Sequence, residues 1–133
     1  MFHACFHLLS MLLSQQRYNT LRIFDRKIHN YEFAWLSPAF GGMLGACHGL
    51  ELGFVFDTLD TPGLTGPQGM VGENPPVELA RRMHQTWITF ATTSDPGWAP
   101  YNTQQRSVMR INTTWETIAD PRPVERQAWE GVR

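Results

Sequence analysis

The chain has 133 residues, the length of one domain, and such a chain buries roughly two-thirds of its unfolded surface on folding. At 42% hydrophobic and 17% charged, its composition is that of an ordinary globular protein and excludes a disordered or fibrous chain. Eleven basic residues against 12 acidic ones give a formal net charge of −1 with no Lys/Arg cluster, which argues against nucleic acid or an anionic membrane as partner.

Residues 2–16 combine Leu, Met, Ala and Gln without Gly or Pro and read as a helix. Their apolar run lacks a basic flank and a small-x-small cleavage site, and it is too short to span a bilayer. It therefore reads as an amphipathic or buried helix rather than a signal or an anchor. His3 and His7 stand at i and i+4 of that helix, but no third ligand follows at a metal-site spacing, so no metal is expected. Residues 21–24 and 31–35 are rich in aromatic and β-branched side chains and read as strands. Ser37-Pro38 ends the second, since proline biases its predecessor away from helix and offers no N–H.

Residues 41–49 hold four glycines and must form a loop with unusual backbone angles. Residues 59–76, with Pro62, Gly63, Gly66, Pro67, Gly69 and Gly72, read as a flexible surface excursion. Asn74 then supplies a helix cap, the prolines a first turn, and Glu78 a favourable charge for the helix dipole. Leu79, Ala80, Met83, Trp87, Phe90 and Ala91 fall on one face of the helix predicted over 74–91, which stops before Pro96-Gly97. Residues 107–112 alternate apolar and polar, as a half-buried strand does. The two cysteines, Cys5 and Cys47, are simplest as free thiols in a reducing compartment, which points to the cytoplasm.

The most informative segment runs from Phe40 to Phe56 and includes Gly45-Ala46-Cys47-His48-Gly49-Leu50-Glu51-Leu52. This stretch resembles the G-A-x-H-x-x-E-L motif of the type-B carboxylesterases, the cholinesterase-like α/β-hydrolases. Tyr31-Glu32-Phe33-Ala34-Trp35-Leu36-Ser37-Pro38 resembles the strand that precedes the motif in that family. Residues 79–98 resemble its long C-terminal helix and D-P-G-W turn, residues 107–112 its closing strand, and residues 120–129 its tail. With the motif, these four further matches in family order cover residues 31–133; residues 1–30 match poorly. The fold implied is α/β, an incomplete α/β-hydrolase C-terminal segment: a few-stranded sheet with one long C-terminal helix. Residues 31–35 are expected at the centre of that sheet and 107–112 near an edge.

The resemblance gives His48 the role of triad histidine. In such a triad a neutral imidazole takes the proton of a serine hydroxyl during attack and returns it to the leaving alkoxide. Read from composition alone, His48 is rather a histidine satisfied by local hydrogen bonds, with no chemistry. Glu51 stands three residues further on, but the family places its acid upstream, so Glu51 is expected to hold the loop by hydrogen bonding. Glu32 and Asp57 read as surface or hydrogen-bonding carboxylates. A Cys47 nucleophile finds no orienting acid or oxyanion donors. Met43, Phe54 and Phe56 are candidates for an acyl pocket, with core packing as the default.

None of the five serines (Ser10, Ser14, Ser37, Ser94, Ser107) sits in G-x-S-x-G, and no HGGG-type oxyanion loop is present. The expected activity is therefore a share in carboxylic-ester hydrolysis, weak or absent in this chain alone, with a small-molecule carboxylic ester as substrate and no cofactor. The alternative is a catalytically inactive truncated paralogue that acts as a folding or interaction module. Tyr31, Phe33, Trp35, Val55 and Phe56 are expected to form an exposed apolar sheet face that promotes self-association.

Overall fold

The computed structural model describes residues 27–131, so the expected helix over 2–16, the strand over 21–24 and the His3/His7 pair lie outside the described residues. The described residues divide into two compact units. One comprises residues 27–32, 98–110 and 116–131, the other residues 33–97 and 111–115.

Three strands, β1 (Tyr31–Phe33), β2 (Ser107–Ile111) and β3 (Trp115–Ala119), form a sheet in the order β1-β2-β3. Between β2 and β3 the chain reverses over Asn112-Thr113-Thr114, where the Asn112 N–H donates to the Thr114 carbonyl. Asn112 Oδ1 also accepts the Thr113 N–H at 2.8 Å, the local side-chain bond that makes Asn a turn former. The sequence expectation is reversed on one point: among the described residues β2 is central and β1 lies at an edge. The reason is β3, which the sequence reading missed. Its pattern WETIA has no fully buried position, so apolar alternation is too weak to announce it.

In the first unit the sheet is tied by charge. Glu32 on β1 accepts from Arg110 Nε at 3.2 Å and from Arg122 at 2.9 Å, with only 13% of its side chain exposed. Arg110 also faces Glu116 on β3. Burial alone would raise the Glu32 carboxyl, but hydrogen bonds and charge from Arg122 and Arg110 outweigh it and hold the group below its ordinary value. Arg122 immediately precedes a short helix (Pro123–Ala128) with proline in its first turn and no buried residue. Arg126 of that helix makes two bonds to the Asp120 carboxylate, at 3.0 and 2.9 Å.

The second unit is built on an extended segment and two helices, α1 (Leu52–Val55) and α2 (Val77–Thr93). Beyond β1 the chain stays extended in its burial pattern: Phe33, Trp35, Ser37 and Ala39 are buried, whereas Leu36, Pro38 and Phe40 are exposed. The Phe54 ring sits 5.2 Å from Phe33 and 5.0 Å from Trp35, both tilted, and is fully buried. These separations are those of favourable aromatic pairs. Leu50, Val71, Leu79, Ala80 and Met83 complete the same core.

The long helix starts later than the sequence suggests. Pro76 rather than Asn74 is its cap, with no side-chain cap bond, because two consecutive prolines delay helical angles until Val77. Its end falls at Ser94, in the left-handed region at φ 60°, whose N–H returns to the Phe90 carbonyl at 2.8 Å. Only the first half of the predicted apolar face is buried: Trp87 is half-buried, Phe90 is 44% exposed and Ala91 is exposed. The expected exposed sheet face is also corrected. Tyr31 and Phe56 are exposed, but Phe33, Trp35 and Val55 are covered, because α1 folds back and inserts Phe54 between the aromatics.

The stretch 59–76 is anchored rather than a free excursion. Leu59 and Val71 are buried, Val71 donates to the Leu64 carbonyl at 3.1 Å, and Gly66 to that of Gly72 at 2.9 Å. A Cβ on Gly69 would stand 2.3 Å from the Leu64 oxygen, so a glycine is required there for close backbone approach.

Two outcomes follow. Phe54→Ala should destabilise the chain by about 3–5 kcal/mol, read from urea midpoints by near-ultraviolet circular dichroism. The Glu32 pairing should contribute stability in full above the ordinary carboxyl value of 4.5 and lose it as pH falls through the lower folded value. The midpoint gap between wild type and Glu32→Gln is therefore widest near neutrality and closes in acid.

Candidate active site

The candidate site is the loop that carries His48, and its shape follows from glycine. A 3₁₀ turn over Ala39–Gly42 ends the extended segment, with Phe40 and Gly41 at φ 52° and 67°. Gly42, Gly45 and Gly49 also have positive φ, at 81°, 56° and 78°. Left-handed angles in so short a stretch cost little only where the residue is glycine, and this is the physical content of the glycine-rich pattern.

Two anchors hold the loop. On the entry side Ser37 and Gly45 form an isolated antiparallel bridge, the Ser37 N–H donating to the Gly45 carbonyl at 3.1 Å. The Ser37 hydroxyl donates to the Met70 carbonyl at 2.5 Å and accepts from the Ala39 N–H at 3.1 Å. On the exit side Leu50 is fully buried, and α1 begins at once. His48 lies between these anchors and is exposed; Cys47 is half-buried and is a free thiol.

The other sequence candidates separate. Glu51 makes no side-chain cap bond; its backbone carbonyl accepts the N–H groups of Phe54 and Val55. The loop is therefore held by backbone and apolar burial, not by the Glu51 carboxylate as expected. Asp57 is exposed at φ 51°, at the turn after α1. Glu32 belongs to the first unit and is occupied by Arg110 and Arg122. Of the pocket candidates, Phe54 is core, whereas Met43 and Phe56 are exposed. Ser37 and Ser107 are buried, and Ser94 closes a helix.

One residue outside the sequence candidates is tied to this block: His84 of α2 makes a 2.9 Å hydrogen bond from Nδ1 to the Val55 carbonyl. Its only local signal is its place beside buried Met83 at the edge of the apolar face. A groove of about 540 Å³ runs along α2 past Arg82, Gln85, Thr86, Thr89 and Asp95. None of its lining residues belongs to the His48 loop, and the hydroxyls of Thr86 and Thr89 already donate to helix carbonyls. Among the described residues no group of three His, Cys, Asp or Glu could hold a metal ion.

No family model matches the chain. It is 38% identical over 73 residues to the phenmedipham hydrolase of Pseudarthrobacter oxydans, across 53% of the chain and 14% of that protein. Its fold superposes on a PNB esterase with a TM-score of 0.62 and 30% identity, across 73% of this chain and 20% of the esterase. A carboxylesterase of Geobacillus stearothermophilus gives 0.60 and 32%, across 77% and 22%. Over part of its length, this chain is a relative of the type-B carboxylesterases.

The carboxylesterase relationship carries the fold with it, since the structural neighbours are α/β-hydrolase esterases. The chain nevertheless spans only 14% of the similar hydrolase and about a fifth of the two esterases. Among the described residues of this carboxylesterase relative, no helix is long and apolar enough to cross a membrane.

Gly49, next to His48, offers the cleanest test of the loop. A Cβ there would meet nothing closer than Leu52 Cδ1 at 3.9 Å, an ordinary contact. Gly49→Ala should therefore cost only the backbone penalty at φ 78°, about 1–2 kcal/mol by denaturant unfolding. A much larger loss would mean that the loop is shaped by close packing instead.

Proposed function

We propose that this chain is a carboxylesterase-like C-terminal segment over residues 31–133 and that His48 is the general base and acid of a serine-esterase triad. The carrying observation is the setting of His48: an exposed imidazole on a loop of left-handed glycines, anchored on both sides, in a chain similar to known ester hydrolases. An exposed ring on a loop anchored at both ends can approach a hydroxyl on another element, and proton transfer at both chemical steps needs such access.

The nucleophile and the acid are supplied from outside this chain in that reading. The sequence has no G-x-S-x-G, and the described serines are buried or close a helix. A triad histidine without its serine and oxyanion donors retains little catalysis. The substrate class is small carboxylic esters, and the compartment is the cytoplasm. The missing elbow equally favours the second reading, an inactive paralogue that serves as a folding or interaction module.

The purified chain should hydrolyse p-nitrophenyl butyrate poorly and take up no active-serine phosphonate by mass spectrometry. When the chain is joined to a G-x-S-x-G portion of an esterase, activity should appear, and His48→Ala should lower kcat at least about a thousandfold with an unchanged circular dichroism spectrum. Activity that survives His48→Ala would remove the triad assignment. Failure of any joined protein to turn over, with a stable fold, would favour the interaction module.

A further inference from the structure

We propose that His84 is a positioning residue that clamps the His48 loop by capping α1. The inference rests on the reading of His48 as general base, but its geometry stands apart from it. A four-residue helix has almost no internal bonds, so its carbonyls need partners from elsewhere. The carbonyls of residues 51–54 each accept a backbone N–H: Glu51 from Phe54 and Val55, Leu52 from Phe56, Gly53 from Thr58, Phe54 from Asp57. The Val55 carbonyl, at the end of α1, takes the imidazole of His84 at 2.9 Å.

That bond sets the ring's tautomer. A carbonyl can only accept, so Nδ1 carries the proton and donates, while Nε2 of the neutral ring is the acceptor. A donor at a helix C-terminus is also favoured by the helix dipole. The bond joins α2, the longest element of its unit, to the helix that starts four residues after His48. Phe54 fixes α1 from the aromatic core; His84 fixes its far end. With both in place, α1 cannot rotate about the buried Phe54 ring and carry His48 with it.

The test is hydrogen–deuterium exchange of the full chain as wild type, His84→Ala and His84→Gln. Alanine removes the donor while improving helix propensity, so any loosening cannot be charged to α2 itself. Exchange across residues 45–58 should quicken about fivefold or more in His84→Ala, the scale of one lost hydrogen bond, with α2 peptides unchanged. Glutamine carries an amide donor and should restore exchange to near the wild-type rate. Carbethoxylation of His48 by diethylpyrocarbonate, followed by mass spectrometry, should speed up in His84→Ala and return towards wild type in His84→Gln.

Unchanged exchange over 45–58 in His84→Ala would overturn the clamp, as would equal acceleration everywhere in both variants. Those results leave the role of His48 intact, because that role stands or falls with His48→Ala kinetics. Retained activity in His48→Ala, in turn, leaves the exchange result standing.

Discussion

The fold of the second unit depends on one aromatic insertion, Phe54 between Phe33 and Trp35. An isolated single helical turn is unstable in water, because nucleation fixes several residues for one hydrogen bond. Here α1 exists because Gly53, Phe54 and Val55 are all buried. The insertion also explains why Gly53 carries no side chain: a Cβ would stand 2.7 Å from Leu64 Cδ2 and 3.2 Å from Leu59 Cδ2. Leu59 and Leu64 belong to the stretch that the sequence marks as a loop, so the same burial that seats α1 also ties that stretch down.

From this constraint the geometry around His48 follows. The extended segment that provides Phe33 and Trp35 continues to Ser37, whose bridge to Gly45 closes the entry of the loop. The helix that provides Phe54 closes its exit. His48 is thus suspended between two ends of one aromatic contact, and glycines let the chain turn sharply enough to span them. The first unit uses a different physics: Glu32, a part-buried carboxylate on β1, is satisfied by the guanidinium groups of Arg110 and Arg122.

Much of this was legible in the sequence, and the failures have physical causes. Glycines at 41, 42, 45 and 49 announce positive φ because few other residues adopt it, and the long helix shows in the spacing of Leu79, Ala80 and Met83. Its start was misplaced because Asn74 has the chemistry of a cap while Pro75 and Pro76 forbid its use. The strand over 115–119 went unseen because half-exposed WETIA carries no clear alternation. Charge partners 78 and 90 residues away, such as Arg110 and Arg122 for Glu32, leave no local trace. The same holds for His84, whose partner is a backbone carbonyl 29 residues away. The exposed distal half of α2 breaks a pattern that predicted burial along its whole face, since amphipathic spacing states what could be covered and not what is.

The proposed role of His48 requires that it ride on a rigid loop rather than a pliable one. Backbone ¹⁵N relaxation of the full chain tests it most directly. Order parameters for residues 45–56 should lie close to those of α2, about 0.85, despite the near absence of regular structure before α1. Values below about 0.6 across residues 45–50, with α2 ordered, would contradict it.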